Sequence, residues 1–542
     1  MARRKPSLVV AACAAASLLA GCSGAATIAS KSPASTSRSS APRSSPAPPP
    51  STAAPSQGLP PRSVAPNTPR RDFGPGPAGH GLQRFYHQHV TWKACGPRGD
   101  QCATIWVPLD YHHPDGQSII IATKRQPATD PAEREGSLFI NPGGPGGSGI
   151  DYLSYVDFGS SVTAHYDIVG FDPRGVGRST PVECVSDRAL DTYVASDPTP
   201  DTAAEIRRMQ QLWTHFTRGC VQHTGPLLGH VSTIEAAKDM DILRAVVGDA
   251  KLNYFGASYG TYLGATYAAL FPTKVRRMVL DGAIDPLESP HASEIGQAAG
   301  FQRALDAYLR YCIGQGSCPL GSSVPAAEQR LNAFFKQVDR HPLPTSSSRR
   351  LTEGLAWLGV IVPLYSRANW QYETLALSQA LQGNGAILLR LSDAYTSRNP
   401  DGTYKDNSMQ VQSAVNCLDK PEHATLKQIE AGKGAFLKAS PVFGPAAMWW
   451  PYACSNWPKK PSWPQPDYAA PGAPPIVVIG TTRDPATPYE QAVRLSKELD
   501  SGVLLSRNGD GHTAYDSGNP CIDDAVNNYL VTGTPPKPGT MC

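Results

Sequence analysis

The stretch Leu252-Asn-Tyr-Phe-Gly256-Ala-Ser258-Tyr-Gly260-Thr-Tyr-Leu-Gly-Ala-Thr-Tyr-Ala-Ala-Leu270 decides the fold. Four strand-forming residues lead into Gly-x-Ser-x-Gly, and an apolar, helix-like run follows. In a chain with 49 Gly the pentapeptide alone is a weak signal, and its setting between strand and helix gives it weight. Glycines two before and two after a serine permit the sharp strand-to-helix turn that exposes a nucleophilic hydroxyl. Ser258 is therefore the expected nucleophile.

Working outward, short apolar runs recur at 103–107, 118–123, 137–140, 166–171, 277–280, 475–479 and 502–505. Most of the later ones are followed by Gly-rich turns, the pattern of a mostly parallel sheet covered by helices on both faces. Between 286 and 460 helical periodicity takes over, at 295–313, 326–338, 351–381 and 426–437. A helical block between two strands of one sheet is expected to be an inserted cap. The core then divides into an N-terminal part, 76–285, that carries the nucleophile, and a C-terminal part, 461–542.

A serine nucleophile needs a base, and the base needs an orienting carboxylate. In the strand–Ser–helix context the order along the chain is Ser, acid, His. Asp484 leaves the run 475–479 in Arg483-Asp-Pro-Ala-Thr-Pro488, and His512 follows 502–505 in Asn508-Gly-Asp-Gly-His512. Asp510 stands too close to His512 to orient it, and Asp281 is expected to close a turn at its own strand end. Two backbone amides are expected to hold the oxyanion. One is Tyr259, and the other comes from Asn141-Pro-Gly-Gly-Pro-Gly-Gly-Ser-Gly149, where Gly144 is preferred and Gly143 is the alternative. The absence of Lys-Ser/Thr after this loop rules out a Walker A phosphate site.

The ends of the chain read differently. Arg3, Arg4 and Lys5 precede an apolar run at 8–19 that closes in Leu19-Ala-Gly-Cys22. This resembles a bacterial lipoprotein signal, residues 1–21, with Cys22 as the lipid-modified residue, and it implies export to the outer face of the cytoplasmic membrane. Residues 22–75 are rich in Ser, Pro and Ala and are expected to be a disordered tether. Of the chain's net charge of +4, three positive charges lie in the first segment and a net five in the second, which leaves the remainder at −4. No basic face is left to suggest nucleic acid. Of the 12 Cys, Cys13 and Cys22 fall in the ends. The other ten are expected to pair as sequence neighbours: Cys95 with Cys102, Cys184 with Cys220, Cys312 with Cys318, Cys417 with Cys454, and Cys521 with Cys542. No Cys/His spacing suggests a metal, and no cofactor is expected.

The motifs at 141–149, Phe171-Asp-Pro-Arg174-Gly-Val-Gly-Arg-Ser179, Gly256-Ala-Ser-Tyr-Gly260 and Asp484-Pro-Ala-Thr-Pro resemble those of α/β-hydrolase serine peptidases. They are most similar to the actinobacterial secreted tripeptidyl aminopeptidases, relatives of proline iminopeptidase. The resemblance implies an α/β-hydrolase fold with a large helical cap, and removal of short peptides from a free N-terminus through an acyl-enzyme. A carboxylesterase or lipase with the same triad, and a non-catalytic surface lipoprotein, are the alternatives. An exopeptidase must bind the substrate ammonium, for which Glu353, Glu373 and Asp393 are cap candidates. Arg174 is expected to brace loops around the site, with contact to a substrate carboxylate as the lesser reading. Peptides are the expected partners, and a monomer is favoured.

Overall fold

The computed structural model describes residues 73–421 and 423–542. The signal segment 1–21, Cys22 and residues 22–72 of the expected tether lie outside the described residues, and the expected tether runs too far, because Phe73 and Gly74 form a strand paired with Ile119 and Ser118. Eleven strands form one sheet: β1 (Phe73–Gly74), β2 (Lys93–Ala94), β3 (Gln101–Pro108), β4 (Ser118–Gln126), β5 (Gly136–Asn141), β6 (Tyr166–Phe171), β7 (Leu252–Ala257), β8 (Val275–Asp281), β9 (Ile476–Arg483), β10 (Gly502–Asp510) and β11 (Thr540–Met541). Their order is β11-β10-β9-β8-β7-β5-β6-β4-β3-β2, with β1 paired to β4. Pairing is parallel from β11 to β6 and antiparallel from β6 through β4 and β3 to β2.

The central parallel strands are apolar runs because helices cover both of their faces, whereas β10 and β11 near the edge are only partly buried. Every residue of β5, β6 and β7 is buried. One face packs against α1 (Thr233–Val246), α2 (Tyr259–Leu270) and α10 (Tyr489–Glu498), and the other against α11 (Pro520–Thr532). Strand β5 lies between β6 and β7, so the chain winds away from it in both directions. The carboxyl ends of such strands open a crevice.

Between β8 and β9 the chain builds a helical insertion from α3 (Pro290–Gly314), α4 (Val324–Arg340), α5 (Glu353–Leu364), α6 (Trp370–Leu381), α7 (Ala386–Tyr395), α8 (Ser408–Asp419) and α9 (Leu426–Ala439). It has its own apolar core, in which Leu305, Tyr308, Leu331, Val360 and Leu377 are fully buried. The helix expected over 351–381 is two helices, broken at Tyr365-Ser366 after Pro363, which stands in the last turn of α5. Helices α7 and α8 were not foreseen from the sequence.

Five disulfides join Cys95–Cys102, Cys184–Cys220, Cys312–Cys318, Cys417–Cys454 and Cys521–Cys542. Two bear on architecture: Cys417 fastens α8 to the segment that follows α9 within the insertion, and Cys542 fastens the edge strand β11 to the start of α11. Among the described residues no helix is long and apolar enough to cross a membrane.

Candidate active site

Ser258 occupies the turn between β7 and α2 with φ 56° and ψ −125°, a conformation that L-residues avoid. Two contacts keep it there: its N–H donates to the Asp281 carbonyl at 2.8 Å, and its own carbonyl accepts from Thr261 N–H at 2.8 Å and Thr261 Oγ1 at 2.6 Å. The turn is tight enough to demand its glycines. A Cβ on Gly260 would stand 2.8 Å from the Asn141 carbonyl oxygen and 2.9 Å from its side-chain oxygen. The serine thus caps a helix N-terminus, where the first amides lack intrahelical partners and the local potential favours negative charge.

Asp484 and His512 meet beside this turn, from the loops that leave β9 and β10. The Asp484 oxygens lie 2.9 and 3.0 Å from His512 Nδ1. The carboxylate is fully buried and accepts three backbone N–H groups as well: Ala486 and Thr487 on Oδ1, both at 2.9 Å, and Thr513 on Oδ2 at 3.1 Å. A carboxylate only accepts, so Nδ1 carries the proton and Nε2 is left as the basic nitrogen. Burial opposes the charged imidazole, but the carboxylate of Asp484, its hydrogen bond and the charge of Asp281 outweigh it. His512 is thereby held above its ordinary pKa.

Residues that the motifs did not single out hold the histidine in place. The His512 N–H donates to the Tyr365 carbonyl at 2.8 Å, and the Tyr365 ring meets the imidazole edge-on at a centroid distance of 5.4 Å. Thr487 Oγ1 lies 3.3 Å from Nδ1. Asp281 does more than close its own turn, because its carboxylate accepts the Ala514 and Tyr515 amides at 2.9–3.0 Å. Asp281 therefore links the nucleophile turn, through its carbonyl, to the histidine loop, through its side chain. Burial raises its pKa to about 6 against those bonds. Asp510 is committed to Arg483 at 2.5 Å and Arg367 at 2.9 Å, as its rejection as orienting acid requires.

The glycine loop after β5 sits against the same turn. A Cβ on Gly143 would lie 2.8 Å from both Ser258 Cβ and Tyr259 N. The Gly143 N–H donates to Asn141 Oδ1 at 2.9 Å, whereas the Gly144 N–H has no partner among the described residues. The helical insertion roofs the loop, since a Cβ on Gly146 would strike Ser408 at the start of α8.

The remaining candidates sort cleanly. Arg174 is fully buried, pairs through Nε and Nη2 with both oxygens of Asp239 at 2.7 Å, and donates to the carbonyls of Pro108, Leu109 and His230. It is a brace with no donor left for substrate. The three cap carboxylates do not come together. Glu353 is buried against Thr199, Glu373 is fully buried among cap side chains, and Asp393 is paired with Arg349 at 2.6 Å. Among the described residues, none forms a hydrogen bond or ion pair with the residues around Ser258. Periodicity placed Glu353 and Glu373 on a cap helix and missed the helix that carries Asp393, and it carries no signal of which helix face meets the sheet.

Known proteins resemble the chain along most of its length. Residues 440–542, which include Asp484 and His512, match the family model described as TAP-like protein. The chain is 38% identical over 480 residues to the serine protease Hip1 of Mycobacterium tuberculosis, covering 84% of this chain and 91% of that protein. It is 37% identical over 471 residues to carboxylesterase B of the same organism, covering 83% and 89%. It is 31% identical over 481 residues to the tripeptidyl aminopeptidase of Streptomyces coelicolor, covering 82% and 84%. Likeness that runs through core and insertion alike, in a chain whose sheet, cap and Ser–Asp–His arrangement are those described above, places it as a serine hydrolase of the TAP-like α/β-hydrolase peptidase family, to which it belongs.

Proposed function

We propose that the protein is an exported serine exopeptidase that removes short peptides, tripeptides foremost, from a free N-terminus. Ser258 attacks the scissile carbonyl while His512 Nε2 takes its proton and then delivers it to the leaving amine. Asp484 holds the tautomer and stabilises the imidazolium. The amides of Tyr259 and Gly144 receive the oxyanion, and water releases the acyl group by the same route in reverse. Cys22 would carry the lipid that keeps the enzyme on the membrane surface, with the segment from there to about residue 72 as its tether.

One observation carries the preference for chain ends over folded protein substrates. The insertion reaches both the histidine and the glycine loop, through Tyr365 on His512 and through Ser408 against Gly146. A site roofed from both sides admits a short extended peptide more readily than the middle of a folded chain. Identity to a tripeptidyl aminopeptidase over both core and insertion supports the same reading.

Esterase action is the second reading, favoured by the comparable identity to carboxylesterase B. The test sets a free tripeptidyl p-nitroanilide against its N-acetylated form and against p-nitrophenyl esters. The exopeptidase reading expects acetylation to abolish anilide cleavage. If acetylation leaves cleavage undiminished, or if only the esters turn over, the reading is overturned.

A further inference from the structure

The loop after β5 must present an amide to a developing oxyanion, and its glycines leave few side chains to fix its course. It is tied at its far end: Gly147 N–H donates to the Gly143 carbonyl at 3.0 Å, and Ser148 Oγ donates to Asp172 Oδ1 at 2.5 Å. At its near end the tie is Asn141, the last residue of β5, which pairs in register with Gly256 of the nucleophile strand and is 1% exposed. Its Oδ1 accepts the Gly143 N–H at 2.9 Å, and the same oxygen lies against the bare Cα of Gly260.

We propose that Asn141 is a positioning residue for the oxyanion site. By engaging the Gly143 amide it removes that donor from competition and sets the course of the loop past Ser258. The Gly144 amide is then the one presented together with that of Tyr259. The inference rests on the serine-hydrolase reading of Ser258, Tyr259 and Gly144, and it holds whether the substrate is a peptide or an ester. A single side-chain oxygen thus touches both halves of the oxyanion machinery. It holds the loop through Gly143 and abuts the first turn of the nucleophile helix through Gly260. Only a glycine at 260 leaves room for that approach.

The test is Asn141→Leu, close in shape but without the acceptor, in the full chain. It is assayed on a free tripeptidyl anilide and on a p-nitrophenyl ester, with rates referred to active sites titrated by a fluorophosphonate. The expected result is a fall in kcat of roughly 10- to 100-fold on both substrates with KM within about threefold. A peptidyl boronate, whose tetrahedral adduct with Ser258 puts an oxygen in the oxyanion site, should lose affinity by the same factor. A product peptide, which forms no such adduct, should not. A purely structural role would lower Tm and the titre of active sites while leaving kcat per titrated site and boronate affinity intact, and that outcome overturns the proposal. Should N141L not fold, N141A carries the same readouts. S258A separates the two levels: if it retains turnover, the serine-hydrolase reading fails. If S258A is inert while the Asn141 variants turn over normally per site, only the present inference fails.

Discussion

Replacing Asp484 by Asn is the sharpest single perturbation of this site, and its size can be worked from the hydrogen bonds. The carboxylate accepts four groups: the Ala486, Thr487 and Thr513 amides and His512 Nδ1–H. An asparagine has one accepting oxygen and one donating nitrogen. If its oxygen stays with Ala486 and Thr487, its NH₂ faces Thr513 N–H and His512. The imidazole must then accept at Nδ1, which moves its proton to Nε2 and removes the base from the nucleophile. If the amide is flipped, the NH₂ faces two backbone donors instead. The first arrangement forfeits one amide acceptor and the second forfeits two, at about 1–3 kcal/mol for each buried donor left unmet. The wrong tautomer costs on the order of 10⁴ in kcat, or about 5.5 kcal/mol of transition-state stabilisation. The pH profile should move as well. Asp484 is the chief attraction that raises the His512 pKa, and the imidazole serves as base only when neutral. The wild-type rate should therefore fall on the acid side with a midpoint above the ordinary imidazole value of about 6.5. In D484N the limb should shift to lower pH. Steady-state rates on a tripeptidyl anilide between about pH 5 and 9, with parallel thermal melts, measure all three effects. A D484N enzyme within tenfold of wild type, or with an unmoved acid limb, would refute the reasoning.

Two further expectations follow from the same contacts. Ser258→Ala should lose on the order of 10⁶ in kcat, and Ser258→Gly should be equally inert yet more stable by about 1 kcal/mol, because glycine is at ease at φ 56°; urea melts that rank the glycine variant below wild type would argue against strain at the nucleophile. Arg174→Ala should destabilise by about 3–5 kcal/mol, since it strands the buried Asp239, while sparing kcat per titrated site; a selective rise in KM with unchanged stability would instead place Arg174 at the substrate.

The parts of this protein that could be read from sequence share a physical property: they are dictated within a dozen residues. A parallel strand covered on both faces must be apolar throughout, so β5 to β10 announce themselves as short apolar runs. A strained nucleophile turn must carry flanking glycines, and its acid and base must leave neighbouring strands on loops. What escaped the sequence is set by contacts made at long range. Residues 351–381 are uniformly suited to helix, and the break at Tyr365-Ser366 has only Pro363 as a local sign. Yet that break frees the Tyr365 carbonyl to hold His512, 147 positions later in the chain. Helix α8 is short and packs its first residue over the Gly146 loop, a contact no local pattern announces. Helical spacing likewise singles out no cap carboxylate for a substrate ammonium, because it predicts a face but not which neighbour receives it.

The distribution of these contacts argues that the cap is part of the catalytic apparatus. Tyr365 belongs to the insertion, but its carbonyl and ring are the nearest described restraints on the His512 main chain and imidazole from that side. Asp281 belongs to the sheet and restrains the same loop two residues further on. His512 is therefore clamped between a rigid strand end and a cap segment, and a cap displaced as a body would carry one half of the clamp with it. Substrate entry that moved α5 would loosen the base, and closure would restore it. The insertion is therefore expected to influence the geometry of His512 through Tyr365. Trimming the Tyr365 ring should then lower kcat even for a small ester that makes no demand on the cap for binding.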